Sequence, residues 1–204
     1  MITMNKRALE NRRVSFFGGR PVAWMAAALL MAVRTCAAAE DHPAPQPAVF
    51  TTPKLEILNK QIEANPQNAQ AFANRGYTLA LLGRKEEARA DVRQSVMLSD
   101  KAPMHNRAGW AYFNLGDYAD ALREFEVAGK MSDYQAHYDY YSLVIACWGT
   151  GDIKRALENY DLAAKREPKL ATLKTLQERT QEWTPLEQRA MHEIYTLWIK
   201  AWKP

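Results

Sequence analysis

Four histidines (His42, His105, His137, His192) and two cysteines (Cys36, Cys147) are the side chains in this 204-residue sequence best suited to metal binding, redox exchange or nucleophilic attack. A metal site would set such ligands a helical turn apart or in close Cys-x-x-Cys pairs. None of the histidines stands in that relation to another or to Cys147. The "MHEIY" stretch around His192 has the His-Glu pair of a zinc-hydrolase helix but no second histidine one turn later. There is no G-x-S-x-G elbow, no glycine-rich phosphate cradle, and no nucleophile–base pair legible from spacing. The expectation is therefore no catalytic residue, no metal and no cofactor; an enzyme whose site is assembled from distant residues stays open as the alternative.

If the chain works by binding, the elements that present its surface carry the function, and the N-terminus has to be set apart from them. Lys6, Arg7, Arg12, Arg13 and Arg20 precede an apolar run from Pro21 to Val33, and Ala37-Ala38-Ala39 offers small residues for cleavage before Glu40. Residues 1–39 are thus expected to be a secretory signal peptide. The run is 13 residues long, against about 20 for a bilayer-spanning helix, so a signal anchor in the inner membrane is the alternative. Arg12-Arg13 resembles a twin-arginine signal with Phe16-Phe17 one position late, which leaves the export route open. Cys36 follows Arg34-Thr35 rather than the small residues of a lipid-attachment signal.

Removing 1–39 takes away six of the 27 basic and one of the 23 acidic residues, leaving 21 and 22. The net charge of +4 is then a property of the leader, and a charge-based case for nucleic acid disappears. Cys147 is left without a cysteine partner, so packing rather than disulfides must hold the fold together. Pro43, Pro45, Pro47 and Pro53 mark residues 40–53 as an extended linker.

Beyond the linker the chain repeats itself. Gly83, Gly116 and Gly151 lie 33 and 35 residues apart, and each is followed by a small residue (Ala88, Ala121, Ala156), a larger apolar one (Val92, Phe125, Tyr160) and a small one again (Ser95, Ala128, Ala163). Repetition at this period means stacked helical hairpins, and the small residues let the paired helices approach closely. The pattern resembles the tetratricopeptide repeat family, W-x2-L-G-x2-Y followed by A-x3-F and a terminal Pro. The first copy carries Phe72, Arg75, Gly76, Leu79, Ala88 and Val92; the second His105, Ala108, Gly109, Tyr112, Ala121 and Phe125; the third Tyr140, Leu143, Val144, Cys147, Ala156, Tyr160 and Pro168. Arg75 and His105 occupy positions that are usually bulky and apolar, and are expected to be looser or turned to solvent. Asp100 and Asp133 replace the terminal proline in the first two copies.

The resemblance implies an all-α fold, a right-handed superhelical solenoid of stacked antiparallel helical hairpins. Three repeats, about 69–101, 102–135 and 137–170, are flanked by an N-terminal cap over 54–65 and C-terminal capping helices over 171–202. Thr184-Pro185-Leu186-Glu187 reads as the start of the last helix, with Leu186, Ala190, Ile194, Leu197, Trp198 and Ala201 on one face. Trp198 is expected to seal the last repeat, and Cys147, where the family usually buries a tyrosine, to be a packed and inert thiol.

Family members bind extended peptides or helices on a concave surface lined by the first helix of each repeat. That implication places Asn74, Tyr77, Asn106, Arg107, Trp110, Phe113, Asn114, Tyr138, Tyr141 and Trp148 on or near the groove. Rings supply contact area at low entropic cost and amides pair with a ligand backbone; the alternative is that some of these rings are core between repeats. Ala73 and Tyr77 stand where the family's carboxylate clamp would need Lys and Asn, so chaperone C-termini are not the expected ligand. The functional expectation is a non-catalytic interaction or adaptor protein of the bacterial envelope, periplasmic or secreted. It would be a monomer that binds a protein or peptide, with no nucleic acid and no membrane insertion of the mature domain. An immunity protein that neutralises an envelope-acting toxin is the alternative of the same binding type.

Overall fold

The computed structural model describes residues 48–135 and 137–202; the side chains of 48–53, 137, 138, 169, 170 and 202 fall outside that description. The expected signal peptide, with Cys36, and residues 40–47 of the expected linker, with His42, also lie outside the described residues. The elements run α1 (Ala48–Ala64), α2 (Ala69–Leu81), α3 (Lys85–Leu98), α4 (Ala102–Leu115), α5 (Tyr118–Met131), α6 (His137–Gly149), α7 (Ile153–Arg166), a 3₁₀ turn (Pro168–Ala171), α8 (Leu173–Thr180) and α9 (Pro185–Trp202). No strand occurs among the described residues. The first helix begins at Ala48, inside the stretch expected to be linker.

Three hairpins result: α2 with α3, α4 with α5, and α6 with α7. Each packs on the next through α3 with α4 and α5 with α6, and the first helices meet through α2 with α4 and α4 with α6. The repeated glycines make the turns. Gly83, Gly116 and Gly151 have φ of 72°, 81° and 78°, the left-handed conformation that a Cβ disfavours. Each turn closes with the same two backbone bonds. Gly116 N donates to Phe113 O and Asp117 N to Tyr112 O (3.1 and 2.9 Å), and the equivalent pairs at Gly83 and Gly151 measure 2.9–3.0 Å. This arrangement satisfies the last carbonyls of a helix while reversing the chain.

Within the first two hairpins the helices approach so closely that one face has no room for a side chain. A Cβ on Gly76 would fall 2.7 Å from Val92 Cγ1, and one on Gly109 would fall 2.5 Å from the Phe125 ring. The larger residue on the second helix occupies the volume that glycine leaves on the first.

Arg75 and His105 are neither loose nor solvent-directed. Arg75 grips Asp91 of the facing helix through two bonds, 2.6 and 2.8 Å, and reaches Asn59 of α1 at 2.9 Å. His105, 7% exposed, lies between Glu124 on Nδ1 and Asp100 on Nε2, both at 2.7 Å. Asp91 and Glu124 are 33 residues apart, equivalent positions one repeat from each other. A polar lock between the two helices therefore replaces the apolar contact that the repeat pattern suggests, because a carboxylate on the second helix, buried at Asp91 and half-buried at Glu124, calls for a donor on the first.

At the other end α9 packs against α6 and α7. Leu186, Ala190, Ile194 and Trp198 are buried, and the Trp198 ring lies 5.2 Å from that of Tyr160. Trp198 thus seals the third hairpin. Cys147 is fully buried, and burial pushes its thiol up to about 12, so almost none of it is thiolate at neutral pH.

Candidate functional site

The candidate binding face is built by the first helices of the hairpins. Asn74 and Tyr77 come from α2; Asn106, Arg107, Trp110, Phe113 and Asn114 from α4; Tyr138, Tyr141 and Trp148 from α6. Helical spacing puts Arg107, Trp110 and Asn114 on one stripe of α4.

Two of these residues are corrections. Phe113 is fully buried, its ring 5.3 Å from Tyr118 and 6.3 Å from Trp148, and Tyr141 is 4% exposed with its ring 6.1 Å from Tyr160. Both are core between helices and present no surface to a partner. The Tyr138 side chain lies outside the described residues.

Four more are engaged by the C-terminal helices. The Trp183 indole packs edge-on against Trp110, centroids 5.1 Å apart at 69°, while Phe125 supports Trp110 from behind at 5.5 Å. Asn114 Nδ2 donates to Glu187 Oε1 at 2.6 Å, and the Tyr77 hydroxyl stands 3.5 Å from the same oxygen. Thr184 Oγ1 donates to Asn114 Oδ1 at 3.1 Å, and Trp148 Nε1 to Glu193 Oε2 at 2.7 Å. A segment expected only to cap the solenoid therefore also lies along its first-helix face.

Glu187 is the centre of this contact. Its second oxygen accepts from the Thr184 backbone N–H at 2.8 Å, while its own N–H donates to Thr184 Oγ1 at 3.3 Å, the reciprocal helix start that Thr184 and Glu187 suggest in the sequence. It is 1% exposed. Burial raises its pKa above the usual carboxylate value, and the bonds from Asn114 and Thr184 oppose that rise. Burial likewise raises the Tyr77 phenol, helped by the neighbouring Glu187 carboxylate.

The remaining residues surround open space. Asn106 and Arg107 line a cavity of about 290 Å³ together with Gln70, Ala102, Pro103, Ala128, Ser132 and Asp139, at the end of the face away from α9. Arg107 lies over the Tyr77 ring at 5.1 Å, so it stands between this cavity and the Glu187 contact. Asn74 accepts from Gln70 Nε2 at 3.1 Å beside it. The cavity offers amide, guanidinium, hydroxyl and carboxylate groups, suited to a polar main chain rather than to a chemical step. Among the described residues no group of three or more His, Cys, Asp or Glu could hold a metal ion.

Sequence reasoning missed Trp183, Thr184, Glu187 and Glu193 as members of this face. The helix-start role of Thr184 and Glu187 was legible, but contacts reaching back 45 to 110 residues leave no mark in spacing.

Residues 69–101 and 102–128 match the family described as Tetratricopeptide repeat. Human DnaJ homolog subfamily C member 7 is 41% identical over 78 residues, 38% of this chain and 16% of that protein. Human Tetratricopeptide repeat protein 13 is 27% identical over 110 residues, 54% of this chain and 13% of that protein. The chain thus matches only a small part of these curated relatives. Among solved structures, that of the MamA RS-1 ArsTM double mutant superposes with a TM-score of 0.52 at 15% identity, covering 87% of this chain and 96% of that one, a likeness of fold. The third hairpin, α6 with α7, lies beyond the matched residues, yet it repeats the glycine turn and the helix pairing of the other two. Residues 69–101 and 102–128 are thus similar to tetratricopeptide repeats, and a third helical hairpin with the same glycine turn continues them.

Proposed function

We infer that this protein is a non-catalytic adaptor of the bacterial envelope that holds a protein or peptide partner at the open end of its first-helix face. Tetratricopeptide repeats are interaction scaffolds, and the supporting observation is the cavity bounded by Asn106, Arg107 and Asp139. No residue of the C-terminal helices is among the described residues that line it. A guanidinium held over a tyrosine ring is a fixed, planar donor, suited to a main-chain carbonyl or a carboxylate of an extended segment.

Export is supported by the basic, apolar and small-residue succession of residues 1–39, and by the nearly balanced charge of residues 40–204. The working location is then periplasmic or secreted, with a signal anchor as the alternative. No helix among the described residues is long and apolar enough to cross a membrane. The charge balance also argues against nucleic acid as a partner.

The test is capture of partners from envelope extracts by the wild-type chain and by an Asn106→Ala, Arg107→Ala variant with an unchanged thermal melt. Loss of a captured protein in the variant supports the reading. Identical capture by both moves the binding site off this face.

A further inference from the structure

The C-terminal helices do more at the first-helix face than a cap requires. Sealing an end of a solenoid needs apolar area, and α9 supplies it with Ala190, Ile194 and Trp198. The Trp183–Glu187 segment instead brings an indole and a buried carboxylate, and burying a carboxylate costs stability unless donors meet it. Besides the Thr184 N–H of its own turn, the donors that meet it come from two hairpins: Asn114 of α4, with Tyr77 of α2 beside it.

The segment is also shaped before it docks. Gln188 Nε2 donates to the carbonyls of Thr180, Gln181 and Trp183, closing the end of α8 onto the start of α9, and the reciprocal Thr184–Glu187 bonds set the first turn of α9. A knuckle held by its own bonds presents its ring and carboxylate with little ordering left to lose. The helix that leads into it, α8, has eight residues, of which Leu176 and Thr180 are buried. A short, mostly exposed helix belongs to the least stable part of a structure.

The geometry points to the Trp183–Glu187 knuckle as an internal ligand of the first-helix face. The partner element this face accepts is a helix-opening peptide that carries an aromatic ring followed four residues later by a carboxylate, and it takes the knuckle's place. The ring seats on Trp110 and the carboxylate on Asn114 and Tyr77, with Arg107, stacked on Tyr77, at the boundary with the open cavity. This deepens the adaptor reading and rests on it for biology, since a partner that reaches the cavity has the knuckle's site next to it.

The test uses a fluorescent peptide with the sequence of Gln181–Tyr195, added in trans to the full chain. Self-occupancy lowers apparent affinity by the fraction of molecules with an open face. Wild type is expected to bind the peptide weakly, and Trp183→Ala, Glu187→Ala to bind it about tenfold more tightly or better, as expected when an internal competitor is removed. Adding Asn114→Ala to that variant should abolish the gain. Amide exchange runs in parallel: residues 173–188 should exchange faster in the double variant, with α2 to α5 protected as in wild type. Loosening without peptide binding overturns the proposal, and so does tight binding that survives Asn114→Ala. Glu187→Gln keeps the shape and gives a smaller gain in binding. If both it and the double variant lose cooperative melting, the segment is core and the proposal falls. The peptide readout is independent of partner capture, so failure of the adaptor reading leaves this result standing, and the reverse also holds.

Discussion

The first two hairpins and the third solve the same packing problem differently. In α2–α3 and α4–α5 a glycine on the first helix accepts the larger residue of the second, Gly76 under Val92 and Gly109 under Phe125. In α6–α7 the equivalent position is Val144, fully buried, and Tyr160 sits in a ring cluster with Tyr141, Tyr195 and Trp198. Tyr160 and its two nearest α9 rings lie 5.2 to 6.3 Å apart, centroid to centroid. The neighbour explains the difference. The first two hairpins are followed by another hairpin, whereas the third is followed by α9, which brings aromatic residues of its own. The repeat pattern thus weakens where the environment it encodes ends.

The largest effect expected from this contrast comes from removing the two equivalent rings. Phe125→Ala and Tyr160→Ala should each cost about 3 to 5 kcal/mol, as buried aromatic truncations do, read from urea unfolding. Only Tyr160→Ala should also deprotect residues 185–202 in amide exchange while α2 to α5 hold. Equal protection of α9 in both variants would break the comparison.

A smaller effect comes from giving the second hairpin the residue of the third. Gly109→Val drives a branched side chain into the Phe125 ring and should lower stability by about 1 to 3 kcal/mol, the range for overpacked cores. A change within experimental error would mean that the close approach at Gly109 relaxes freely.

The smallest separates the hairpins by pH. His105 and Tyr140 occupy the same repeat position, and histidine is the side chain whose charge changes near neutral pH. Burial lowers the His105 pKa, and the bonds to Asp100 and Glu124 outweigh it, so the net shift is upward. A raised folded value means that the imidazolium contributes stability fully below the unfolded value of about 6.5, and that this is lost as pH rises through the folded value. His105→Gln should therefore cost about 1 kcal/mol at pH 5.5, the net worth of an ordinary hydrogen bond, and less at pH 8.5. The mostly exposed Asp100 contributes the weaker share. Thermal melts at the two pH values measure it, and an equal cost at both would assign the stabilisation to packing.

Much of this architecture is legible in the residues themselves. The 33- and 35-residue spacing of Gly83, Gly116 and Gly151 announces three hairpin turns because a left-handed residue is needed at each. The Ala121 and Gly109 positions announce close helix contact, since small size is a local property with one structural use there. Thr184 and Glu187 announce a helix start because their partners are three residues apart. All of these rest on interactions within one repeat or one turn, and short-range interactions leave a period in the sequence.

The binding face was less legible, and the reason is distance. Whether Tyr141 is groove or core depends on Tyr160, and whether Trp110 is open depends on Trp183; spacing along α4 and α6 is the same in either case. Arg75 and His105 look like departures from the repeat pattern until Asp91 and Glu124 are placed opposite them. The helices, their turns and their order were readable from the residues alone, because they come from local propensity and repetition. Which surface stays free was settled only in the folded chain, because the C-terminal helices return to α2 and α4 through bonds between residues 70 to 110 positions apart.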